Sequence, residues 1–125
     1  MSAGWGWPAD VRPLTGYHAH VYFDTHTRGA ALALRDRIEA MAASAGFEVV
    51  MGRVHDKPVG PHPKAMYQVA FPLAGFAELV PWLLQHRGSL DVLVHGETGE
   101  DLVDHTQHVL WLGHELALAL EVFDR

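Results

Sequence analysis

Residues 16–23, Gly-Tyr-His-Ala-His-Val-Tyr-Phe, alternate in character with a period of two. Ala19, Val21 and Phe23 fall on one side, and His18, His20 and Tyr22 on the other. Only an extended chain sorts neighbours this way, so the segment reads as a strand with one apolar face to bury. The pattern recurs downstream. Phe47 to Val54 sets Phe47, Val49 and Met51 against Glu48 and Val50. Ala65 to Phe71 sets Tyr67, Val69 and Phe71 against Met66, Gln68 and Ala70. Leu90 to His95 sets Leu90, Val92 and Val94 against Asp91, Leu93 and His95.

Helical periods separate these strands. After N-cap candidates in Asp24 to Thr27, Leu34, Ile38, Met41 and Ala45 form one apolar stripe, with Gly46 as a natural left-handed stop. A second helix covers roughly Leu73 to His86 and ends near Gly88, and Pro81 should kink it or mark its real start. His55 to Lys64 holds Asp56, Pro58, Gly60, Pro61 and Pro63 and excludes regular structure. Residues 97–113 show no clear period. Leu116, Leu118, Leu120 and Val122 alternate with Ala117, Ala119, Glu121 and Phe123, which predicts an extra C-terminal strand. The order β-α-β-β-α-β is that of an α+β, ferredoxin-like fold. Its antiparallel sheet has strand order 4-1-3-2, with both helices on one face. Residues 1–15, with Gly4, Gly6, Pro8, Pro13 and two tryptophans, read as an irregular arm that packs on something; residues 16–125 form a single domain.

Composition narrows the partners. A formal net charge of -6 disfavours nonspecific nucleic-acid and anionic-membrane binding. No stretch approaches a membrane span or a secretory signal, so a cytoplasmic protein is expected. The chain has ten histidines and no cysteine, which points to a hard or borderline metal or to acid–base chemistry.

The expected topology gathers some of these imidazoles. With strands one and four antiparallel neighbours, His18 lies beside His95 on the open face, and His20 lies one pleat further along. The loop after His95 brings Glu97, Asp101, Asp104 and His105 to the same corner. His62 reaches it only if the Pro-rich loop folds back over the sheet or comes from a second subunit. The open face, mixed in polarity, should be covered by a ligand or by a second copy of the chain, so a homodimer is expected. His26, His55, His86, His108 and His114 read as hydrogen-bonded surface residues. The Gly60-Pro61-His62-Pro63 segment is also consistent with a plain turn, and Asp104-His105-Thr106 with a helix cap. Nucleophile elbows, phosphate loops and the zinc-protease helix motif are absent.

Tyr17-His18-Ala19-His20-Val21-Tyr22-Phe23, Gly60-Pro61-His62-Pro63, Val94-His95 with Thr98-Gly99, Asp104-His105-Thr106 and Trp111-Leu112-Gly113 resemble, in order, the bacterial and fungal DOPA 4,5-dioxygenase family. The chain departs from the pattern at Gly96, where a proline is expected. The resemblance implies extradiol ring cleavage of a catechol, such as DOPA, by O2 at a non-haem Fe(II). Strand geometry then assigns His18, His20 and His95 to the metal. It assigns His62 and His105 to proton transfer and, with Tyr22, to substrate binding; Glu97 and Asp104 are the nearest carboxylate candidates. The alternatives are a non-catalytic metal- or small-ligand-binding dimeric α+β protein and a haem- or quinone-binding α+β barrel.

Overall fold

A computed structural model describes residues 11–124. The strands are β1 (Gly16–Phe23), β2 (Val50–Met51), β3 (Ala65–Pro72), β4 (Val92–Glu97) and β5 (Val109–Leu112). The helices are α1 (Arg28–Ala42), α2 (Phe76–His86) and the single turn α3 (Asp101–Asp104). The strands make one antiparallel open sheet in the order β2-β3-β1-β4-β5. The expected residues 1–10 of the arm lie outside the described residues. Among the described residues, no helix is long and apolar enough to cross a membrane.

The two-face alternation organises the interior. Ala19, Val21 and Phe23 of β1, Tyr67, Val69 and Phe71 of β3, and Val92 and Val94 of β4 pack against the helices. The helices supply Ala31, Leu34 and Ile38 from α1, and Leu79, Val80 and Leu83 from α2. Ile38 and Leu83 are wholly buried, each favouring the packed state by about 1.5–3 kcal/mol over exposure. The Tyr67 hydroxyl, inside this layer, donates to the Ala31 carbonyl at 2.7 Å, so its burial leaves no unpaired polar group.

Several boundaries differ from expectation. α1 stops at Ala42, and Gly46 does not adopt positive φ, so neither Ala45 nor Gly46 serves the helix end. Gly88 does, with φ 59 just beyond α2. Pro81 lies inside α2 on its exposed side; the irregularity comes earlier, as a 3-10 turn over Leu73–Gly75. Of the strand expected over 47–54, only Val50–Met51 pairs in a ladder, because β2 is an edge that meets β3 alone.

The larger correction concerns the C-terminus. The fifth strand is Val109–Leu112, which pairs with β4, and residues 116–123 are not a strand. Leu116 and Leu118 instead lie on the open face of the sheet, against Tyr22, Met66 and Leu93. A segment laid across a sheet face alternates inward and outward as a strand does, without making a ladder. The chain itself therefore covers part of the face that was expected to need a second copy.

Candidate metal centre

β1 and β4 set the first histidines. The register pairs His18 directly with His95 and His20 with Leu93. Because side chains alternate, His18, His20 and His95 all rise from the open face. The ring centroids of His18 and His95 are 5.2 Å apart, and those of His20 and His95 are 5.0 Å apart with nearly parallel planes. His20 and His95 bring their Nε2 atoms to 3.0 Å.

The Pro-rich loop does fold back over the sheet, within the same chain. The Val59 carbonyl accepts the His62 N–H at 3.0 Å, and Gly60 takes φ 55 between them, a conformation that favours glycine. The Ala119 N–H of the C-terminal segment donates to the Pro61 carbonyl at 2.8 Å and ties the turn down. His62 is thereby buried, its ring 4.1 Å from that of His20. His105 comes from the end of α3, where its Nδ1 lies 2.7 Å from the Asp101 carbonyl. A carbonyl only accepts, so Nδ1 carries the proton and Nε2 is left bare. Its ring lies 4.2 Å from that of His95 and 4.8 Å from Phe123.

The result is two overlapping triads. His18, His20 and His95 each offer one ring nitrogen within 4.8 Å of the others, and so do His20, His62 and His105. His20 belongs to both. Burial, reinforced by neighbouring imidazoles, holds His20 well below the ordinary histidine range. It also puts His62 at about 4 and His95 at about 3, the latter against the opposing pull of the Gly96 carbonyl. These imidazoles are thus neutral at pH 7, the form that binds metal. The buried Nδ1 of His20 has no hydrogen-bond partner among the described residues. Two imidazole nitrogens bound at about 2.1 Å and at right angles to each other stand about 3.0 Å apart. The donor type and the His20–His95 spacing both fit a divalent ion.

The other expected residues take different places. Tyr22 is 1% exposed and stacked on Trp111, and its hydroxyl is 2.7 Å from His62 Nδ1. Burial pushes its phenol up, so it remains protonated and can donate to His62. Glu97 stands outside both triads, its carboxylate 3.2 Å from His95 Nδ1 and 3.6 Å from His18 Nε2. Burial raises it to about 6, with help from Asp104 and Asp101. Asp104 is committed elsewhere: it accepts from the Thr98 N–H at 2.8 Å, the Thr98 hydroxyl at 2.7 Å and His108 Nδ1 at 2.9 Å. Burial alone would raise Asp104, but these bonds hold it below the usual carboxylate range. His108 therefore staples the loop that carries His105. His86, on α2, binds the Trp82 carbonyl, and His114 binds Asp91.

A cleft of about 350 Å³ opens beside His18 and Glu97, with Thr15, Val50 and Ala70 among its walls. No pattern in the sequence signals the cover that Phe123 provides over His105. The one available signal was the half-apolar alternation of residues 116–123, which fits a strand equally well.

A histidine-rich α+β protein with a metal-ready cluster on an antiparallel sheet is the class that fold and site define. The chain belongs to the Dopa 4,5-dioxygenase family, whose sequence model matches residues 17–122. It is 36% identical over 108 residues to the DOPA 4,5-dioxygenase of Amanita muscaria, an alignment that covers 83% of this chain and 47% of that protein. It is 32% identical to an uncharacterised 21.2 kDa protein of Botryotinia fuckeliana, over 94% of this chain and 68% of that one. The chain thus spans about half the length of the Amanita enzyme. The crystal structure of a candidate dioxygenase from Nostoc punctiforme matches with TM-score 0.82 and 50% identity, over 89% of this chain and 92% of that one.

Proposed function

We propose that this protein is an extradiol dioxygenase that opens the ring of a catechol with O2 at a non-haem Fe(II) held by His18, His20 and His95. The observation that carries the reading is the convergence of neutral imidazoles, with His20 and His95 Nε2 3.0 Å apart. Membership of the Dopa 4,5-dioxygenase family supports the reaction class. Fe(II) held there would supply O2 activation and leave room for a catechol to chelate through its two adjacent oxygens, provided that the protein fills only about three positions.

The chain's own residues supply the rest. His18 is half-buried and borders the cleft, so a substrate enters beside it. His62 and His105 border the triad: His105 Nε2, turned away from the Asp101 carbonyl, takes the catechol proton, and the buried His62 ring, its Nδ1 held by Tyr22, donates from Nε2 to bind the substrate and return a proton during ring opening. Tyr22 fixes the orientation of the His62 ring from behind. The C-terminal segment and the Pro61 turn limit the access of water to the cluster.

Anaerobic reconstitution with Fe(II), followed by a panel of catechols in air, tests this directly. A yellow ring-opened product, lost in His20→Ala, is the expected result. Stoichiometric iron without product from any catechol would leave a metal-binding protein in its place, and bound porphyrin would indicate a haem protein.

A further inference from the structure

Two triads share His20, and one feature distinguishes them. The outer edges of His18 and His95 face a carboxylate, Glu97, whereas the partners behind His62 and His105 are the neutral Tyr22 hydroxyl and the Asp101 carbonyl. We infer that Glu97 is the positioning residue of the centre: it is not a ligand, but it orients His95 and His18 and so strengthens metal binding at the His18–His20–His95 triad. The inference rests on the metal reading of the cluster and adds to it the residue that orients two of its ligands.

The geometry supports each step. Glu97 is the last residue of β4, paired with Gly16 of β1. Its backbone carbonyl accepts from the Thr15 N–H at 2.8 Å and from the Thr15 hydroxyl at 3.1 Å, so the strand end is fixed. The side chain then turns to His95 Nδ1 at 3.2 Å, which also faces the Gly96 carbonyl at 3.2 Å. Both neighbours accept only, so the His95 proton belongs on Nδ1 and its lone pair on Nε2, the atom nearest His20. The carboxylate lies on the opposite edge of the His95 ring from that lone pair, which is why it stands outside the ligand set. A carboxylate behind a ligating imidazole fixes its tautomer and raises its basicity. It would also place a negative charge near a buried dication whose ligands are all neutral, and among the described residues no carboxylate pairs with His62 or His105.

The test pairs two measurements on the full chain. Long-range 1H–15N NMR of the metal-free protein reads the His95 tautomer. Titration with Zn(II) reads affinity, and the visible spectrum with Co(II) reads the ligand set. The parent should show a single Nδ1–H tautomer at His95. Glu97→Ala should show mixed tautomers and a Zn(II) affinity lower by about 10–100-fold, with the Co(II) band shape unchanged. Glu97→Gln keeps an acceptor oxygen and should restore the tautomer while recovering only part of the affinity. An Ala variant with the parent tautomer and affinity would overturn the positioning role. A changed Co(II) spectrum in Glu97→Ala would overturn it differently, by making the carboxylate a ligand. If the parent binds neither metal, the metal reading itself falls, and the tautomer comparison alone decides whether Glu97 fixes His95.

Discussion

His20 and His95 face each other across the β1–β4 seam with their Nε2 atoms 3.0 Å apart, and only one proton can lie between them. His95 keeps its own proton on Nδ1, against Gly96 and Glu97, so His20 must donate from Nε2. That leaves His20 Nδ1 buried, bare and, among the described residues, unpartnered. An unsatisfied buried polar atom costs about 1–3 kcal/mol. A metal bound at both Nε2 atoms would use both lone pairs and send the shared proton to His20 Nδ1.

Because His20 belongs to both triads, its replacement should remove bound metal wherever the ion sits. His20→Ala and His95→Ala are expected to lose iron, and His18→Ala to bind it weakly or not at all. His62→Ala and His105→Ala should keep iron but turn over about 10²–10⁴-fold more slowly. His86→Ala, remote on α2, is the control. Iron content after desalting, beside single-turnover rates, separates these classes. Loss of iron from His62→Ala with retention in His95→Ala would assign the ion to the other triad.

The part of this site that was legible in the sequence is the part carried by strands. Alternation fixes which face a residue takes, so His18 and His20 were placed on one face from Gly16–Phe23 alone, and pairing of β1 with β4 brought His95 beside them. His62 was not legible, because its position depends on the Pro61 carbonyl meeting Ala119, a contact between segments nearly sixty residues apart in sequence. The C-terminal segment imitates a strand for a related reason. One-sided burial of Leu116 and Leu118 produces a strand's period whether or not the backbone pairs. The short strand β5 was hidden in a polar stretch, its four residues too few to show a period of their own.

The metal-free protein should lose stability in mild acid. His62 and His95 are depressed to about 4 and about 3, and His20 is also depressed, in each case chiefly by burial. An unfolded chain binds these protons near pH 6.5, whereas the folded chain refuses them until far lower pH. Between those limits the unfolded state holds more protons, so stability rises with pH across the window and levels off above about 6.5. Urea midpoints should therefore fall steadily from pH 7 to pH 4.5. A midpoint that stayed constant over that range would show that the imidazoles are not buried as described.

Tyr22→Phe should separate orientation from chemistry. The substitution removes only the hydroxyl that lies 2.7 Å from His62 Nδ1, in a site closed by Met66, Leu93 and Trp111. The buried Nδ1 then loses its partner, and thermal or urea unfolding should report a loss of about 1–3 kcal/mol. Iron content should match the parent, while turnover falls because the His62 ring is no longer held. Unchanged turnover would mean that the Tyr22–His62 bond serves stability alone.

Ala119→Pro tests the strap over the cluster with one missing hydrogen. The Ala119 N–H donates to the Pro61 carbonyl at 2.8 Å, and this bond ties the C-terminal segment to the turn that carries His62. Ala119 has φ -82, close to the angle a proline ring imposes, so the substitution removes the donor without forcing the backbone away. The net cost of the lost bond should be about 0.5–1.5 kcal/mol, small enough to leave the core formed. The effect on the site should be larger than the effect on the fold. The Pro61–His62–Pro63 turn loses its anchor, so the His62 ring should broaden in NMR spectra while His18, held by β1 and β4, stays sharp. If His62 remains as sharp as His18 and turnover equals that of the parent, the turn is held by its own Val59–His62 bond and the C-terminal segment is not part of the machinery.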